Sequence, residues 1–490
     1  MTDTKIIVLD DDPTGSQTVH SCLLLTRWDP VTLQQGLLDD APLFFVLTNT
    51  RGMDAARAAV VTGEVCDNLK LALADLAAGG RRIHTILVSR SDSTLRGHYP
   101  VETDVIADKL GPFDAHFLVP AFFEGGRFTR DSVHYLMVDG KPTPVHETEF
   151  ARDSVFGYRY SYLPDYVEEK TRGRIKADEV DRFLISDIRA GTGLPLPAPP
   201  MNGGGPNLLP AGGEGGGGES NPTLADRLIG LTGNRCCVVD AETQADLDHF
   251  AAQVEAATAR GKRFLFRSAA SLLTALAGLP PQPVAAEGMR AYTRGGRPGA
   301  VIVGSHVKKT TAQLERLLAE AGVVALEVDV DRVLPDRARL LADILARAAA
   351  AHAAGLTPVV FTSRAERQFP DQAERLAFGE AVSAFLMDVV RGLPPTLGFL
   401  VGKGGITSND VLSQGLALRT ARVLGQVLAG CSVVRCPADH PRFPDLPVVI
   451  FPGNVGDEAA LATVYRRFSE KSTPGGSARH NPRHEACLSL

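Results

Sequence analysis

Short apolar runs alternate with longer amphipathic stretches along most of this chain. Between the runs, Asp54–Leu76 repeats Ala, Val and Leu at helical spacing, which predicts a helix. Strands that alternate with helices favour a parallel sheet with helices on both faces. Near the start of the chain, the runs that predict buried strands are Ile6–Leu9, Leu43–Leu47, Thr85–Val88 and Phe117–Val119.

The alternation continues through the rest of the chain. Further predicted strands are Cys236–Asp240, Arg263–Arg267, Val301–Val303, Val323–Val328, Pro358–Thr362, Leu397–Val401 and Val448–Phe451. Further predicted helices are Gln244–Arg260, Thr310–Ala321, Arg337–Ala354, Gln372–Arg391 and Ser408–Ala417. A chain of 490 residues exceeds one ordinary core. The predicted fold class is therefore α/β with two domains, each a mainly parallel sheet flanked by helices, and a cleft between them.

Changes in composition set the predicted domain boundaries. The first domain covers residues 1–278, with a Gly- and Pro-rich insertion at 191–222 that buries too little apolar area to become ordered. A Pro-, Gly- and Arg-rich linker follows at 279–299, and the second domain covers 300–468. The polar tail at 469–490 is predicted to be disordered, like the insertion.

Charge and hydropathy argue against several function classes. The net charge is −6 and the pI is about 6.1, so there is no basic excess for nucleic acid or a membrane surface. No apolar run reaches about 18 residues, and Met1–Lys5 lacks the pattern of a signal peptide. The seven cysteines form no CxxC pair, which is typical of reduced thiols. We therefore expect a cytoplasmic protein without nucleic-acid or membrane partners.

Three consecutive carboxylates, Asp10–Asp12, follow the first predicted strand and precede a Pro-Thr-Gly turn. Clustered anions repel one another, so they become favourable when a metal ion, a cationic ligand or several donors arrive. Ligands of open α/β sheets bind beyond the carboxyl ends of strands, where Asp11, Asp12 and Thr14 would lie. The alternative is an acidic turn in which Asp12 caps a helix.

Two further strand exits carry groups that suit a small sugar acid. Ser89–His98 contains hydroxyls, the carboxylate of Asp92 and two arginines, and Thr48–Gly52 is a smaller set of the same kind. A guanidinium holds a carboxylate or phosphate through two parallel hydrogen bonds. Hydroxyl and carboxylate groups suit a polyhydroxylated ligand. The alternative is a solvated loop with an Arg–Asp pair.

The second domain has three strand exits that contain glycine. Gly402–Asp410 follows a strand and opens a helix, and its tandem glycines let backbone N–H groups approach phosphates. It matches neither the GxxxxGK[ST] pattern nor the GxGxxG pattern. Gly304-Ser305 and Pro452–Gly456 follow two other strands. Together they indicate a ligand site, whereas the alternative for Gly402–Asp410 is an ordinary turn with a helix cap.

Taken together, these motifs resemble the four-carbon acid sugar kinases. The resemblance covers roughly residues 5–190 and 225–468. It implies a sugar-acid-binding first domain and a nucleotide-binding second domain. The motifs that carry it are Asp11–Gly15, Ser91–Gly97, Gly404–Ser408, Gly304-Ser305 and Pro452–Gly456.

The resemblance implies a kinase that transfers the γ-phosphoryl group of ATP, with Mg²⁺, to a hydroxyl of threonate, erythronate or an oxo relative. The implied catalytic residues are Asp12 and Asp92, either of which could take the hydroxyl proton. The implied residues of the acid side are Asp11, Thr14, Arg51, Ser91 and Arg96. The implied residues of the nucleotide side are Ser305, Gly404, Gly405, Ile406, Thr407 and Gly453. The metal ligands are left open, and the sequence allows a homo-oligomer.

Several positions depart from the family pattern. Pro13 and Ser16 stand where many members carry Leu and Ala, and Asp457 stands where a glycine is common. Two other functions stay open. A metal-dependent sugar-phosphate phosphohydrolase would use the Asp-x-Asp spacing of Asp10 and Asp12 and release phosphate without ATP. A non-catalytic sensor would bind the acid and the nucleotide without forming ADP.

Overall fold

A computed structural model describes residues 3–196, 223–365, 367–453 and 455–469. Most of the predicted insertion at 191–222, and the tail beyond residue 469, lie outside the described residues. The N-terminal half is taken here as residues 3–278 and the C-terminal half as residues 300–469.

Eighteen strands occur in the described residues. They are β1 Asp3–Asp10, β2 Leu23–Leu25, β3 Leu43–Leu47, β4 Ile83–Arg90, β5 Ala115–Val119, β6 Arg127–Arg130, β7 Val133–Val138, β8 Lys141–Pro144, β9 Asp181–Phe183, β10 Arg235–Val239, β11 Phe264–Ser268, β12 Ala300–Val303, β13 Val323–Val328, β14 Thr357–Thr362, β15 Leu400–Lys403, β16 Thr420–Leu428, β17 Cys431–Arg435 and β18 Pro447–Phe451.

Thirteen α-helices occur in the same part of the chain. They are α1 Pro30–Leu38, α2 Ala55–Ala78, α3 Val101–Leu110, α4 Leu163–Lys170, α5 Ile185–Arg189, α6 Leu224–Gly230, α7 Gln244–Ala259, α8 Ala270–Ala277, α9 Lys308–Leu318, α10 Arg337–Ala353, α11 Gln372–Gly392, α12 Gly405–Asp410 and α13 Ala460–Ser469. The longest of them, α2, is capped by Asp54, whose side chain accepts a hydrogen bond from the backbone N–H of Arg57.

Fifteen strands form one sheet, in the order β13-β14-β12-β15-β18-β17-β16-β2-β3-β1-β4-β11-β5-β10-β9. Pairing is parallel within each half, apart from the antiparallel pairs at β17. The predicted α/β class is thus confirmed. A separate antiparallel sheet contains β6, β7 and β8.

The parallel sheets of the two halves are joined edge to edge. The three-residue strand β2 pairs with β3 on one side and antiparallel with β16 on the other, where Leu24 lies opposite Ala421. A buried apolar cluster follows the joined sheet from Val8 and Phe117 to Ile450. The sequence pattern did not predict this junction, because a strand of three residues is too short to show an alternation.

Among the predicted elements of the C-terminal half whose bounds were wrong, two bear on the site. The predicted strand Leu397–Val401 is β15, which begins at Leu400 and includes Lys403. The predicted helix Ser408–Ala417 begins at Gly405 as α12, and a single π-helical turn follows it over Val411–Gly415. The earlier helix start matters for the site, because it places the tandem glycines at the end of β15.

Candidate functional site

The predicted acid side of the candidate site lies at the carboxyl ends of β1, β3 and β4. Asp10 pairs in register with Leu47 and with Arg90, so these three strands end side by side. The loops that follow them are therefore neighbours, as expected for a ligand site of an open sheet.

Arg51 links three carboxylates from two stretches of chain. It forms an ion pair with Asp11, and its Nη1 atom lies 3.4 Å from Oδ2 of Asp12 and 3.9 Å from Oδ1 of Asp92. Asp11 also accepts a hydrogen bond of 3.2 Å from the hydroxyl of Ser91. Burial raises the pKa of Asp11, although Arg51 opposes this effect.

Arg96 is paired within the same pocket. Its Nε atom donates to Oδ2 of Asp92 at 2.9 Å, and its Nη1 atom lies 3.7 Å from Asp153. Burial would raise the pKa of Asp92, but Arg51 and Arg96 outweigh it and hold that pKa well below its usual range. Asp92 is therefore a weak base that accepts hydrogen bonds at neutral pH.

Asp12 is more exposed than Asp11 and Asp92, with 21% of its side chain accessible. Its Oδ1 atom accepts from the backbone N–H of Thr14 at 2.9 Å and from the Thr14 hydroxyl. The other oxygen, Oδ2, points toward the C-terminal half. A partly exposed carboxylate can accept a proton from a ligand.

Asp10 faces the protein interior instead of the pocket. It is fully buried, and neither of its carboxylate oxygens has a hydrogen-bond partner among the described residues. A Cβ atom added at Gly15 would lie 2.0 Å from its Oδ2 atom, so the backbone of Gly15 covers it. Burial raises the pKa of Asp10. The Asp-x-Asp arrangement of a phosphohydrolase therefore does not present both carboxylates to a ligand.

A buried network that the sequence did not predict supports the acid side. The guanidinium of Arg267 on β11 pairs with Glu102 on α3 and donates to the hydroxyl of Ser89 at 2.6 Å. Glu102 also accepts from the hydroxyl of Thr50, next to Arg51. An arginine at the end of a predicted buried strand was the available signal, but its partner lies far away in the sequence.

The nucleotide side lies at the carboxyl ends of β14, β12, β15 and β18. Val303 pairs with Phe361 and with Lys403, and Lys403 pairs with Phe451. These four strands therefore end at the same level of the sheet. The glycine-bearing exits identified in the sequence become neighbours.

The turn at Gly404 has no room for a side chain. Gly404 has a φ of +116°, and an added Cβ would lie 3.1 Å from Cβ of Ser305. An added Cβ at Gly304 would lie 2.3 Å from the hydroxyl oxygen of Thr407. Glycine is required at both positions, because two backbone segments approach each other closely. The side chain of Ile406 is 74% exposed, so the turn offers mainly backbone groups.

Lys403, the last residue of β15, holds the loop after β18 through two hydrogen bonds. It is fully buried, and its ammonium donates to the carbonyl of Pro452 at 2.6 Å and to that of Gly453 at 3.0 Å. It also lies 4.2 Å from the ring centre of Phe451. Burial lowers the pKa of Lys403 to about 7. The sequence pattern placed Lys403 in the loop after the predicted strand Leu397–Val401, so neither its position on β15 nor its partners were predicted.

The two sides meet at the acidic turn. A Cβ atom added at Gly405 would lie 3.9 Å from Oδ2 of Asp12. The hydroxyl of Ser16 donates to that of Ser432 at 3.3 Å, which joins the loop after β1 to β17. The acidic turn and the tandem-glycine turn therefore face each other.

Every predicted site residue lies just after the carboxyl end of one of six strands, namely β1, β3, β4, β12, β15 and β18. Within the parts of the chain that the structure describes, no group of three or more His, Cys, Asp or Glu residues could hold a metal ion. Nor do those parts contain a helix that is long and apolar enough to cross a membrane.

Comparison with known proteins is consistent with two distinct halves. Residues 6–276 match a family model described as a sugar-binding N-terminal domain, and residues 300–461 match one described as a nucleotide-binding C-terminal domain. The crystal structure of Haemophilus influenzae protein HI1011 shares the fold, with a TM-score of 0.60 at 17% identity over 94% of this chain and 100% of that chain.

Two curated relatives are kinases by name. A D-erythronate kinase of Heliobacterium modesticaldum is 26% identical over 171 residues, which are 34% of this chain and 36% of that protein. A D-threonate kinase of Bordetella bronchiseptica is 32% identical over 166 residues, which are 32% of this chain and 37% of that protein. Each match spans about a third of the relative. Because the two domain models together cover most of the sequence, the chain belongs to the four-carbon acid sugar kinase family.

Proposed function

We propose that this protein is an ATP-dependent kinase that phosphorylates a hydroxyl of a small four-carbon sugar acid such as threonate, erythronate or an oxo-tetronate. The observation that carries the proposal is the approach of Gly405 to Asp12. A phosphate held at the tandem glycines would lie beside a carboxylate of the acid side. The family models and the names of the two relatives support the same reaction.

On the acid side, Arg51 and Arg96 supply guanidiniums for the substrate carboxylate, and Asp11, Thr14 and Ser91 supply hydrogen-bonding groups for its hydroxyls. Asp92 accepts a hydrogen bond and does not act as the base, because its pKa is held low. We assign the base to Asp12, which must approach the acceptor hydroxyl within about 2.6–3.2 Å.

In the reaction, the acceptor oxygen forms a bond to the γ-phosphorus while the bond between that phosphorus and the β–γ bridging oxygen breaks. ADP leaves with the bond electrons, and the hydroxyl proton goes to Asp12. Catalysis of this kind depends on positioning and charge stabilisation more than on covalent chemistry.

On the nucleotide side, the backbone of Gly404, Gly405 and Ile406 binds the β- and γ-phosphates, and Thr407 borders them. Ser305 and Gly453 flank this turn at the ends of the neighbouring strands. Mg²⁺ bound with ATP would neutralise phosphate charge. Mg²⁺ takes most of its ligands from phosphates and water, so it needs few ligands from the protein.

We place the protein in the cytoplasm, where ATP is available. Six cysteines in the described residues are free and buried, in keeping with a reducing compartment.

A coupled assay of ADP release against a panel of four-carbon acids tests the function. We expect ATP-dependent ADP formation with at least one acid, and a rate at least about 100-fold lower with Asp12→Asn. Absence of turnover with every acid, despite binding of both ligands, would instead indicate a sensor. Phosphate release from a sugar phosphate without ATP would indicate a phosphohydrolase.

A further inference from the structure

Arg364 lies at the outer end of the nucleotide side, two residues after β14 ends. Phe361 on β14 pairs with Val303 on β12, so the chain after β14 runs beside Gly304-Ser305. The Nη2 atom of Arg364 donates to the backbone carbonyl of Ser305 at 2.5 Å. Ser305 in turn packs against Gly404. Ser305 therefore lies between Arg364 and the tandem-glycine turn, and contacts both.

The guanidinium of Arg364 is incompletely satisfied. Its Nε and Nη1 atoms are buried and have no hydrogen-bond partner among the described residues. Among the described residues Arg364 forms no ion pair, and Glu327 is the carboxylate whose charge acts on it. Leaving two buried N–H groups unpaired costs free energy, and more so for a charged group. Burial also lowers the pKa of Arg364.

Lys403, the other buried cation discussed for the nucleotide side, already has hydrogen-bond acceptors within the protein. Lys403 lies beneath the turn and donates its hydrogen bonds to the loop after β18. Arg364 differs because its unpaired donors have no protein acceptor. A guanidinium donates readily to phosphate oxygens, and in Arg364 the Nε and Nη1 groups are the ones that have no acceptor.

We propose that Arg364 binds a phosphate oxygen of the nucleotide while it holds the carbonyl of Ser305. This inference rests on the proposed nucleotide site and deepens it. One guanidinium then fixes the wall of the site and neutralises charge on its ligand. The alternative is a structural role in which Arg364 only supports Ser305.

The two roles predict different losses of affinity for ligands with and without phosphates. If Arg364 contacts a phosphate, its loss weakens the binding of ADP and ATP but leaves adenosine almost unaffected. If it only supports Ser305, its loss weakens all three ligands by similar factors. A charge-assisted hydrogen bond corresponds to a loss of about 10- to 100-fold in affinity.

The experiment is calorimetric titration of ATP, ADP and adenosine into the wild type, Arg364→Gln, Arg364→Lys and a control. Arg367→Gln is the matched control, since Arg367 lies on the same loop but pairs with Asp331 at 2.7 Å. Thermal unfolding without ligand checks that each variant is folded. Arg364→Lys keeps the charge and provides the test if Arg364→Gln does not fold.

We expect Arg364→Gln to bind ADP about 10- to 100-fold more weakly and adenosine within about twofold of the wild type. Arg364→Lys should fall between these two proteins, and the control should bind as the wild type does. Unchanged ADP affinity, or equal losses for ADP and adenosine, would overturn the inference. A wild type that binds no adenine nucleotide would refute the proposed function, and this inference with it.

Discussion

The buried ammonium of Lys403 should make the stability of the protein depend on pH. Its pKa is about 7 in the folded chain and 10.5 in the usual solvated state. Between these values the unfolded chain binds more protons than the folded chain does, so the free energy of unfolding rises with pH. The stabilisation is therefore smallest below about pH 7 and complete above about pH 10.5.

The size of the effect follows from the two pKa values. At about 1.4 kcal/mol for each pH unit, and with partial protonation near pH 7, the gain between pH 7 and pH 9 is about 2 kcal/mol. Cys431 lies close to Lys403, but burial raises the pKa of its thiol to about 12, so it does not titrate in this range. Lys403→Met keeps the apolar stem and removes the titrating group.

The assay is urea unfolding of the wild type, Lys403→Met and Lys141→Met at pH 7, 8 and 9. We expect the free energy of unfolding of the wild type to rise relative to Lys403→Met by about 2 kcal/mol across this range. The exposed residue Lys141 is the control, and its variant should follow the wild type. Equal pH slopes in the wild type and Lys403→Met would refute the reasoning.

Three other changes test the site. Asp12→Asn should lower kcat by at least about 100-fold while ADP affinity stays nearly unchanged, as steady-state kinetics and calorimetry can show. Gly404→Val should weaken ATP binding at least about tenfold, through its positive φ and the crowding against Ser305, and spare acid binding; unchanged nucleotide affinity in calorimetry would contradict the assigned phosphate turn. Gly15→Ala should lower the free energy of unfolding by about 1–3 kcal/mol in urea titrations, since its Cβ would displace Asp10.

Local pattern was sufficient for most of the strands that carry the site. The apolar run before Asp10–Asp12 and the glycines after β15 are signals that lie within ten residues of sequence. Parallel strands end at one edge of a sheet, so the convergence of their loops could also be predicted. This rule alone predicted that the loops after β3 and β4 lie beside the acidic turn.

What the sequence could not supply depends on contacts between distant segments. Asp10 lies two residues after Val8, and alternate residues of a strand share a face, so its inward direction could have been predicted. Its lack of a partner could not, because that depends on everything packed around it. The pairing of Arg267 with Glu102, 165 residues away, likewise requires the folded chain. Lys403 and Arg364 act through backbone carbonyls, which leave no trace in a sequence.

The β2–β16 seam has a mechanical consequence for the acidic turn. The chain that leaves β1 through Asp12 enters β2, and β2 is hydrogen-bonded to β16 of the other half. Arg422 on β16 also pairs with Asp39 at 2.6 Å, which strengthens this seam. The turn is thus tethered at both ends, once to each half. A rotation of the C-terminal half about this seam would displace the segment that carries Asp12, so the position of this carboxylate depends on how the two halves are arranged.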